Sequence, residues 1–344
     1  MTASTMRAVV YDQPREFTVK EVPLRDPEPG EVRLKVVQGG VCGTDLHLHE
    51  GGFITSYPLT PGHENVGTVE ALGDGVDSFR VGELVAVNPN TTCGKCPACR
   101  SGDRLYCPSF GGWGTLKPGG FADYLIVPEE QVFSAEGLDP DVAVFAEPAA
   151  CAVHGIEILQ PRPGTTALVF GTGPTGLLLA QLLASSGAAH VTVASIAEPQ
   201  LRRAEELGLD SAYLMVRGRL DDDIAELAKR GDGGFDYVID ATGVAQVQER
   251  TVELARSGGT VLLYGVAHED DRIAISPYEV FRRELTIRGS FAEIDTVPAA
   301  LAALRSGRIR TDGLITHRFG LDDYGAAMDA VRSDDSAHKV VMTP

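Results

Sequence analysis

Four cysteines are concentrated in one short stretch of the 344-residue chain, TTCGKCPACRSGDRLYC at residues 91–107. Their spacing, C-x2-C-x2-C-x7-C, lets one loop place four sulfur atoms tetrahedrally around a zinc ion. Four thiolates fill the coordination sphere and leave no corner for a substrate or a water molecule. The sequence therefore predicts a structural zinc site with the ligands Cys93, Cys96, Cys99 and Cys107.

Further residues of metal-binding types occur in three separate motifs, GGVCGTDLHLHEGG, LTPGHENVGTVEALG and FAEPAACAVHG. A zinc ion held by fewer than four protein side chains keeps a position for a substrate oxygen, lowers the pKa of a bound alcohol and polarises a bound carbonyl. The candidates for such a site and its surroundings are Cys42, Thr44, Asp45, His47, His63, Glu64, Glu147 and Cys151.

A glycine-rich turn, within ALVFGTGPTGLLLAQLLASSG, stands between an apolar strand and an apolar helix. Its three glycines allow a tight turn, close approach of a pyrophosphate to backbone N–H groups, and close contact between helix and strand. A diphosphate would then face the positive end of the helix dipole. The motif predicts a dinucleotide site with the candidates Gly171, Gly173, Pro174 and Gly176.

The end of the next strand bears on the choice between NAD and NADP. An acidic residue there would hydrogen-bond the ribose 2′-hydroxyl and repel a 2′-phosphate, whereas this sequence, VTVASIAEPQLRR, has Ser195. The serine hydroxyl accommodates a 2′-phosphate, and Arg202 or Arg203 on the following helix would neutralise it. The alternative is that both arginines only solvate the helix. The pattern favours NADP(H) over NAD(H).

The elements that must position these residues fall into two patterns. From Met6 to about Glu136, glycine and proline break the chain into short β-rich runs, as expected of a compact β-barrel-like domain. From about Pro148 to Arg288, strand and helix patterns alternate, which indicates a parallel sheet covered by helices on both faces. The remaining residues return to helix and short strands. The sequence predicts an α/β protein with two domains.

Composition and charge exclude several classes of function. A formal net charge of -18 repels nucleic-acid phosphates, so we predict no nucleic-acid partner. No apolar run reaches the length of a membrane-spanning helix, and the first residues lack an apolar segment of signal-peptide length. We therefore expect a cytoplasmic protein without a membrane partner, in which thiols stay reduced.

Several motifs occur in a fixed order along the chain: CGTDLH, PGHENVGTVEALGDGV, the four-cysteine segment, GGFADYLIVP, EPAACAVHG, GTGPTG and DATG. Through them the whole sequence resembles the zinc-containing medium-chain dehydrogenase/reductase family, which includes alcohol, sorbitol and threonine dehydrogenases. The resemblance implies a GroES-like β-barrel catalytic domain formed by residues 1–151 and 289–344, with a structural zinc lobe at 93–107. It also implies a Rossmann domain, a doubly wound parallel sheet, formed by residues 152–288.

The resemblance implies a ligand set for a second, catalytic zinc ion. Cys42 and His63 would hold the metal, and Glu64 would be the third ligand in resting forms. Glu147 is the fourth ligand by similarity to the polyol and threonine branch. Cys151 is the alternative, because a cysteine at this position is the ligand in some alcohol dehydrogenases.

Other residues take their expected roles from the same resemblance. The Asp45 carboxylate would hold His63 in the tautomer that binds the metal. Thr44 and His47 would relay a proton to solvent. The expected contacts to the dinucleotide, besides the glycine motif and Ser195, are Thr242, Gly265 and Val266.

The implied activity is zinc-dependent hydride transfer between a secondary hydroxyl of a polyol, sugar or related alcohol and NAD(P)+, giving a ketone. Glu64 and the EP motif at Glu147 resemble the sorbitol and threonine branch more than the ethanol enzymes. The alternatives are a primary alcohol or aldehyde dehydrogenase of the same family and a non-catalytic NADPH-binding protein. The resemblance further implies a homodimer or homotetramer, assembled through an edge strand near LTIRGSF.

Overall fold

The computed structural model describes residues 4–52 and 55–344, which divide into two units. The first unit contains the residues up to Ala150 together with Glu293–Ser306 and Gly313–Pro344. The second unit contains Cys151–Ala292 and Gly307–Asp312. The chain therefore leaves the first unit after Ala150 and returns to it at Glu293.

The elements follow one another in chain order. The first part of the chain contains β1 (Thr5–Gln13), β2 (Glu16–Pro23), β3 (Glu31–Val41), α1 (Gly43–Glu50), β4 (Glu64–Leu72), β5 (Leu84–Val87), β6 (Asn90–Thr91), α2 (Pro97–Ser101), β7 (Gly111–Gly112), β8 (Tyr124–Pro128), β9 (Val132–Ser134), α3 (Pro140–Ala143) and α4 (Ala146–Leu159). The middle part contains β10 (Thr166–Phe170), α5 (Pro174–Ser185), β11 (His190–Ser195), α6 (Glu198–Glu206), β12 (Ser211–Leu214), α7 (Leu220–Arg230), β13 (Phe235–Asp240), α8 (Ala245–Leu254), β14 (Ala255–Leu263), α9 (Pro277–Arg283) and β15 (Thr286–Gly289). The last part contains α10 (Val297–Arg305), β16 (Ile315–Phe319), α11 (Tyr324–Ser333) and β17 (Lys339–Met342).

The first unit is built on a seven-stranded sheet with the order β16-β17-β3-β4-β5-β9, in which β8 also pairs with β3. Alternate side chains of β3, including Val32 and Leu34, enter an apolar cluster with Val85 and Val127. The other end of β3 pairs antiparallel with both β17 and β4. This arrangement places the C-terminal strand beside the residues that lead into α1.

The second unit contains a six-stranded parallel sheet with the order β12-β11-β10-β13-β14-β15. Its central strands are continuous apolar runs, and Leu168, Val238 and Val261 are fully buried. The strand order reverses between β10 and β13, and ligands of such sheets bind at the carboxyl ends of the strands that flank the reversal. The unit therefore has the topology of a dinucleotide-binding domain.

The predicted fold class is confirmed, because a doubly wound parallel sheet is joined in one chain to a β-rich unit. Within the described ranges, no helix is both long enough and apolar enough to cross a bilayer.

Candidate metal and nucleotide sites

Helix α1 positions the first group of candidate residues. Cys42 is its N-cap, and the backbone N–H of Cys42 donates to Oδ2 of Asp45, the third residue of the helix, at 2.9 Å. Gly51 ends the helix at a φ of 86°, a left-handed conformation that glycine adopts without strain. Both ends of α1 are therefore fixed by local interactions, which set the direction of Cys42 and Thr44.

His63 and Glu64 lie where a loop enters β4. Gly62 has a φ of +96°, and a Cβ atom there would lie 2.6 Å from Cδ1 of Phe121. A Cβ atom on Gly114 would lie 2.4 Å from the carbonyl oxygen of Gly62 and 2.9 Å from the backbone nitrogen of His63. The chain can approach His63 this closely only because both positions are glycine.

Cys42, His63 and Glu64 form a compact group of donor atoms. One sulfur, nitrogen or oxygen atom from each residue lies within 4.8 Å of the other two, and the histidine and glutamate are buried. Thiolate, imidazole and carboxylate groups all bind zinc, and three of them leave one tetrahedral position for another ligand. The donor set therefore fits a catalytic zinc ion.

Asp45 faces the imidazole ring of His63. Its Oδ1 lies 3.6 Å from Nδ1, and both side chains are almost completely buried. Burial disfavours the imidazolium ion, but the Asp45 carboxylate and Cys42 outweigh burial and raise the pKa of His63 well above its usual value. A metal ion must displace this proton, so metal binding here is expected to release protons. Asp45 lies where an orienting carboxylate is expected.

Lys339 is a residue of the site that sequence reasoning missed. It begins β17, is 2% exposed, and its Nζ forms an ion pair with Oε2 of Glu64. Burial disfavours the ammonium ion, but the negative charges of Glu64, Cys42 and Glu147 raise the pKa of Lys339 above its usual value. Lysine is almost never buried unless it is paired, and the only sequence signal was a lysine preceding the apolar run VVM.

Helix α4 carries both candidates for the fourth zinc ligand. Glu147 lies in its first turn, and Cys151 follows one turn later. Among the described residues, neither belongs to the group whose donor atoms lie within 4.8 Å of one another. Glu147 contributes to the electrostatic environment of Lys339. The choice of Glu147, with Cys151 as the alternative, stays a prediction.

Thr44 and His47 lie on α1 after Cys42. The thiol of Cys42 donates to Oγ1 of Thr44 at 3.8 Å, and both Thr44 and His47 are half-buried. The three-residue separation places them on neighbouring turns of one helix face. A hydroxyl beside a metal ligand, followed by an imidazole with solvent access, is suited to proton transfer.

The four cysteines of the predicted structural site converge. Their sulfur atoms lie within 4.8 Å of one another and form no disulfide. The backbone N–H groups of Cys96 and Cys99 donate to the sulfurs of Cys93 and Cys96 at 3.3 and 3.4 Å. Hydrogen bonds from the backbone of Lys95 and Cys96 lower the pKa of Cys93 to about 6, which favours the thiolate. The four donors fit a closed zinc site.

The glycine-rich turn joins β10 to α5 where the strand order reverses. Gly171 has a φ of +94°, and a Cβ atom there would lie 3.0 Å from Cγ2 of Thr242. A Cβ atom on Gly176 would lie 2.1 Å from the carbonyl oxygen of Gly171. A Cβ atom on Gly173, the N-cap before Pro174, would meet no described atom within 4 Å. Two glycines are required for packing, and the third opens space for a pyrophosphate at the helix N-terminus.

Asp240 is a second residue that sequence reasoning missed, although it stands in the DATG motif. This fully buried carboxylate accepts hydrogen bonds from the backbone of Thr242 at 3.1 Å and from Nε2 of Gln248 at 2.9 Å. The same Nε2 donates to the carbonyl oxygen of Gly265 at 3.1 Å. Asp240 therefore fixes the loops after β13 and β14, whereas Val266 in the second loop is exposed.

Ser195 ends β11 and is buried, with its Oγ accepting a hydrogen bond from the backbone of Ala197 at 3.2 Å. Arg202 pairs with Glu198, and Arg203 pairs with Glu206, on the following helix. Each guanidinium is therefore already engaged by a carboxylate, with which a 2′-phosphate would have to share it. The serine in place of an acid still favours NADP(H), and the contribution of the arginines stays a prediction.

Comparison with known proteins finds a matching family model for each of the two units. Residues 28–137 match the family described as Alcohol dehydrogenase GroES-like domain, and residues 174–306 match the family described as Zinc-binding dehydrogenase. D-arabinitol dehydrogenase 1 of Uromyces fabae is 41% identical over 95% of this chain and 94% of its own length. D-altritol 5-dehydrogenase of Agrobacterium fabrum is 36% identical over 97% of this chain and 98% of its own length.

The same similarity extends to solved structures. A protein of Sinorhizobium meliloti 1021, solved with bound NADP, superposes with a TM-score of 0.93. Its sequence is 32% identical, and the match covers 99% of this chain and 100% of the other. The similarity therefore covers both units and the segments that connect them.

Proposed function

Because the chain belongs to the zinc-containing medium-chain dehydrogenase/reductase family, we propose that it transfers a hydride between a secondary hydroxyl of a polyol, sugar or related alcohol and NAD(P)+, giving a ketone. The donor group of Cys42, His63 and Glu64 carries this proposal, because it keeps a position for a substrate oxygen. The relatives named for D-arabinitol and D-altritol support a polyol as the substrate class.

In the proposed site Cys42 and His63 hold zinc, with Glu64 as the third donor. Zinc in such a site lowers the pKa of a bound hydroxyl and polarises a carbonyl. Asp45 favours the tautomer of His63 that carries its proton on Nδ1, which leaves Nε2 as the donor nitrogen. The burial of His63, Glu64 and Asp45 keeps water away from these three side chains and strengthens their electrostatic interactions.

Oxidation of a secondary alcohol yields a hydride for the nicotinamide ring and a proton for solvent. We assign the proton to Thr44 and then His47, which lie on one helix face beginning next to Cys42. Thr44 can accept a proton through one lone pair while donating its own through the hydroxyl. The half-buried imidazole of His47 would pass the proton on to water, since imidazole can both accept and donate a proton.

The fourth zinc ligand in this proposal is Glu147, with Cys151 as the alternative. Glu147 belongs to the same unit as Cys42 and His63 and contributes to the electrostatic environment of Lys339. Glu147 would be a ligand directly or through a water molecule, so that a substrate oxygen could take the same position.

The proposed cofactor is NADP(H), with NAD(H) as the alternative. Ser195 places no negative charge at the end of β11, and the Sinorhizobium meliloti relative was solved with NADP. Gly171, Gly173 and Gly176 would admit the pyrophosphate, and Asp240 would hold the loops that carry Thr242 and Gly265.

The wider organisation of the protein forms part of the same proposal. Residues 1–151 and 289–344 form the catalytic domain, and residues 152–288 form the dinucleotide-binding domain. The four-cysteine lobe binds a structural zinc ion in the reducing environment of the cytoplasm. The chain assembles as a homodimer or homotetramer through β15, the edge strand of the parallel sheet.

Metal analysis and a substrate panel test the proposal. The purified protein should contain about two zinc ions per chain, one for each donor group. A panel of pentitols, hexitols and primary alcohols should be offered with NAD+ and with NADP+. The rise in absorbance from the reduced nicotinamide should be fastest with the polyols. Turnover confined to primary alcohols would favour the alternative substrate class. Two zinc ions with nucleotide binding but no turnover on any alcohol would favour a non-catalytic binding protein.

A further inference from the structure

A buried lysine lies within the donor group proposed to hold the catalytic zinc ion. The Nζ atom of Lys339 forms an ion pair with Oε2 of Glu64 and donates to the carbonyl oxygen of Val41 at 3.5 Å. The side chains of Lys339 and Glu64 are 3% and 2% exposed. An uncompensated charge at this depth is strongly unfavourable, so each group depends on the other or on another opposite charge.

The strand order explains how two distant residues form this pair. Gly40, on β3, pairs with Glu64 on one side and with Val341 of β17 on the other. A Cβ atom on Gly40 would lie 2.6 Å from Cε of Lys339 and even closer to Oε2 of Glu64. The missing side chain of Gly40 therefore opens a passage across the central strand, through which the lysine reaches the glutamate.

The pair changes what Glu64 can offer to a metal ion. A carboxylate has two oxygens and accepts several interactions at once, so Glu64 can contact Lys339 and a metal together. An ammonium ion on one oxygen draws negative charge away from the metal, which weakens the carboxylate as a ligand. The thiolate of Cys42 then remains the main anionic ligand of the group, and the metal keeps more of its positive charge.

We propose that Lys339 is a positioning residue that, through its buried ion pair with Glu64, keeps this carboxylate a weak and exchangeable ligand of the catalytic metal. The inference rests on the proposed function, because it requires a metal ion at Cys42, His63 and Glu64. Without the lysine, Glu64 would bind the metal firmly, compete with the substrate oxygen and reduce the charge that activates it.

The test replaces Lys339 by methionine in the zinc-loaded protein and measures metal loss to an excess of a coloured chelator. Lys339→Met should hold the metal of this site about tenfold more tightly than wild type, the lower limit of outer-shell effects on metal affinity. Lys339→Arg keeps the positive charge and should match wild type. The Cys42→Ser protein retains only the four-cysteine zinc and supplies the background release curve.

Cobalt substitution gives a second readout that does not depend on activity. The visible spectrum of Co2+ at this site should change in Lys339→Met, because a firm carboxylate ligand alters the coordination, and should stay unchanged in Lys339→Arg. Turnover should fall in Lys339→Met while metal affinity rises. Equal or faster metal loss in Lys339→Met than in wild type would overturn the proposal.

A second comparison decides the matter if Lys339→Met yields no folded protein. Glu64→Gln leaves the lysine unpaired beside the metal, whereas Glu64→Gln combined with Lys339→Met removes both charges. The double variant should bind the metal at least about tenfold more tightly than Glu64→Gln. Equal affinities would show that the lysine does not act on the metal.

Wild-type measurements separate this inference from the proposed function. Wild-type protein that binds no metal outside the four-cysteine lobe, or that reduces no NAD(P)+ with any alcohol, would contradict the proposed function itself. A metal-loaded, active wild type with an unchanged Lys339→Met variant would contradict only the role of the lysine.

Discussion

One side chain at the end of β11 should govern cofactor choice. Ser195 is 8% exposed, so a charge introduced there would be poorly screened by solvent. Ser195→Asp should repel a 2′-phosphate and accept a hydrogen bond from the ribose 2′-hydroxyl. We expect the preference between the cofactors to shift toward NAD(H) by about 1.5 to 3 kcal/mol, the range for a charged hydrogen bond. The ratio of kcat/KM values for NADP+ and NAD+ measures this shift.

Ser195→Ala serves as the control, because it removes the hydroxyl without adding a charge. Its cofactor ratio should change much less than that of Ser195→Asp. The same ratio in wild type and Ser195→Asp would show that this position does not face the adenosine ribose.

Cys42 should be needed for turnover but not for folding. Cys42→Ser replaces the thiolate of the three-donor group, so zinc content should fall by about one ion per chain. Activity should fall below about 1% of wild type, since losing an outer-shell partner alone costs about 10 to 100-fold. Circular dichroism and metal analysis should show a folded protein that retains the four-cysteine zinc. Full activity in Cys42→Ser would contradict the assigned site.

Residues with a local signal were predictable, and residues placed by tertiary contacts were not. The spacing of Cys93 to Cys107 led to a cluster whose sulfur atoms do converge. Lys339 is separated from Val41 by 298 residues, so only the pairing of β17 with β3 brings it to the site. Asp240 could have been noticed as an acid that ends an apolar strand, because its four donors belong to Thr242, Gly243 and Gln248, which lie two to eight residues further along the chain.

At the scale of elements, one buried segment joins parts of the first unit that are distant in sequence. The side-chain amide of Asn90, on β6, donates to the carbonyl oxygen of Glu293 at 2.9 Å and to its Oε1 at 3.2 Å. Oγ1 of Thr296 donates to the carbonyl oxygen of Ala150 at 2.8 Å. The segment from Glu293 to Thr296 is therefore bonded both to the strand before the four-cysteine lobe and to Ala150, the last residue before the chain first leaves the first unit.

Glu293 should make stability depend on pH. Burial raises the pKa of this carboxyl above 4.5, and hydrogen bonds from Asn90 and Thr296 only partly oppose the effect. From pH 4.5 up to the raised pKa, the folded protein binds more protons here than the unfolded chain, so the free energy of unfolding falls as pH rises. Glu293→Gln removes this ionisation, so its stability relative to wild type should increase with pH through that interval.

Denaturant unfolding at a series of pH values from 4.5 toward neutrality measures the relative stability. Glu130→Gln, at an exposed position of the same unit, is the matched control. A stability difference for Glu293→Gln that is as independent of pH as that for Glu130→Gln would mean that folding does not raise the pKa of Glu293.

The type of most elements could be predicted, but the pairing of the first unit could not. Alternating strand and helix patterns between Pro148 and Arg288 predicted the parallel sheet, because short crossovers leave few possible topologies. In the first unit, β17 joins a sheet whose other strands come almost entirely from the first 134 residues. Such long-range antiparallel pairing carries no local sequence signal, so the sequence predicted short strands without their partners.

At the scale of the whole molecule, the six-stranded sheet has an edge that the described part of the chain leaves uncovered. All four residues of β15 are exposed, including Ile287 at 36% exposure, and Phe291 beyond it is exposed as well. An uncovered edge strand presents unpaired N–H and C=O groups, and pairing with the same strand of a second copy satisfies them. Its central position makes Ile287 the residue to test in the proposed homodimer.

Ile287→Glu should weaken assembly without unfolding the second unit, because the side chain is partly exposed in the single chain. In a two-fold antiparallel pair of β15 strands, the two new carboxylates would lie close together and repel, and apolar contact would be lost. We expect the association constant to fall by about tenfold or more, equivalent to about 1.4 kcal/mol. Sedimentation velocity over a range of protein concentrations measures the change. Val81→Glu, at an exposed apolar position of the first unit, should leave the assembly intact, and an Ile287→Glu protein that sediments like wild type would exclude β15 from the interface.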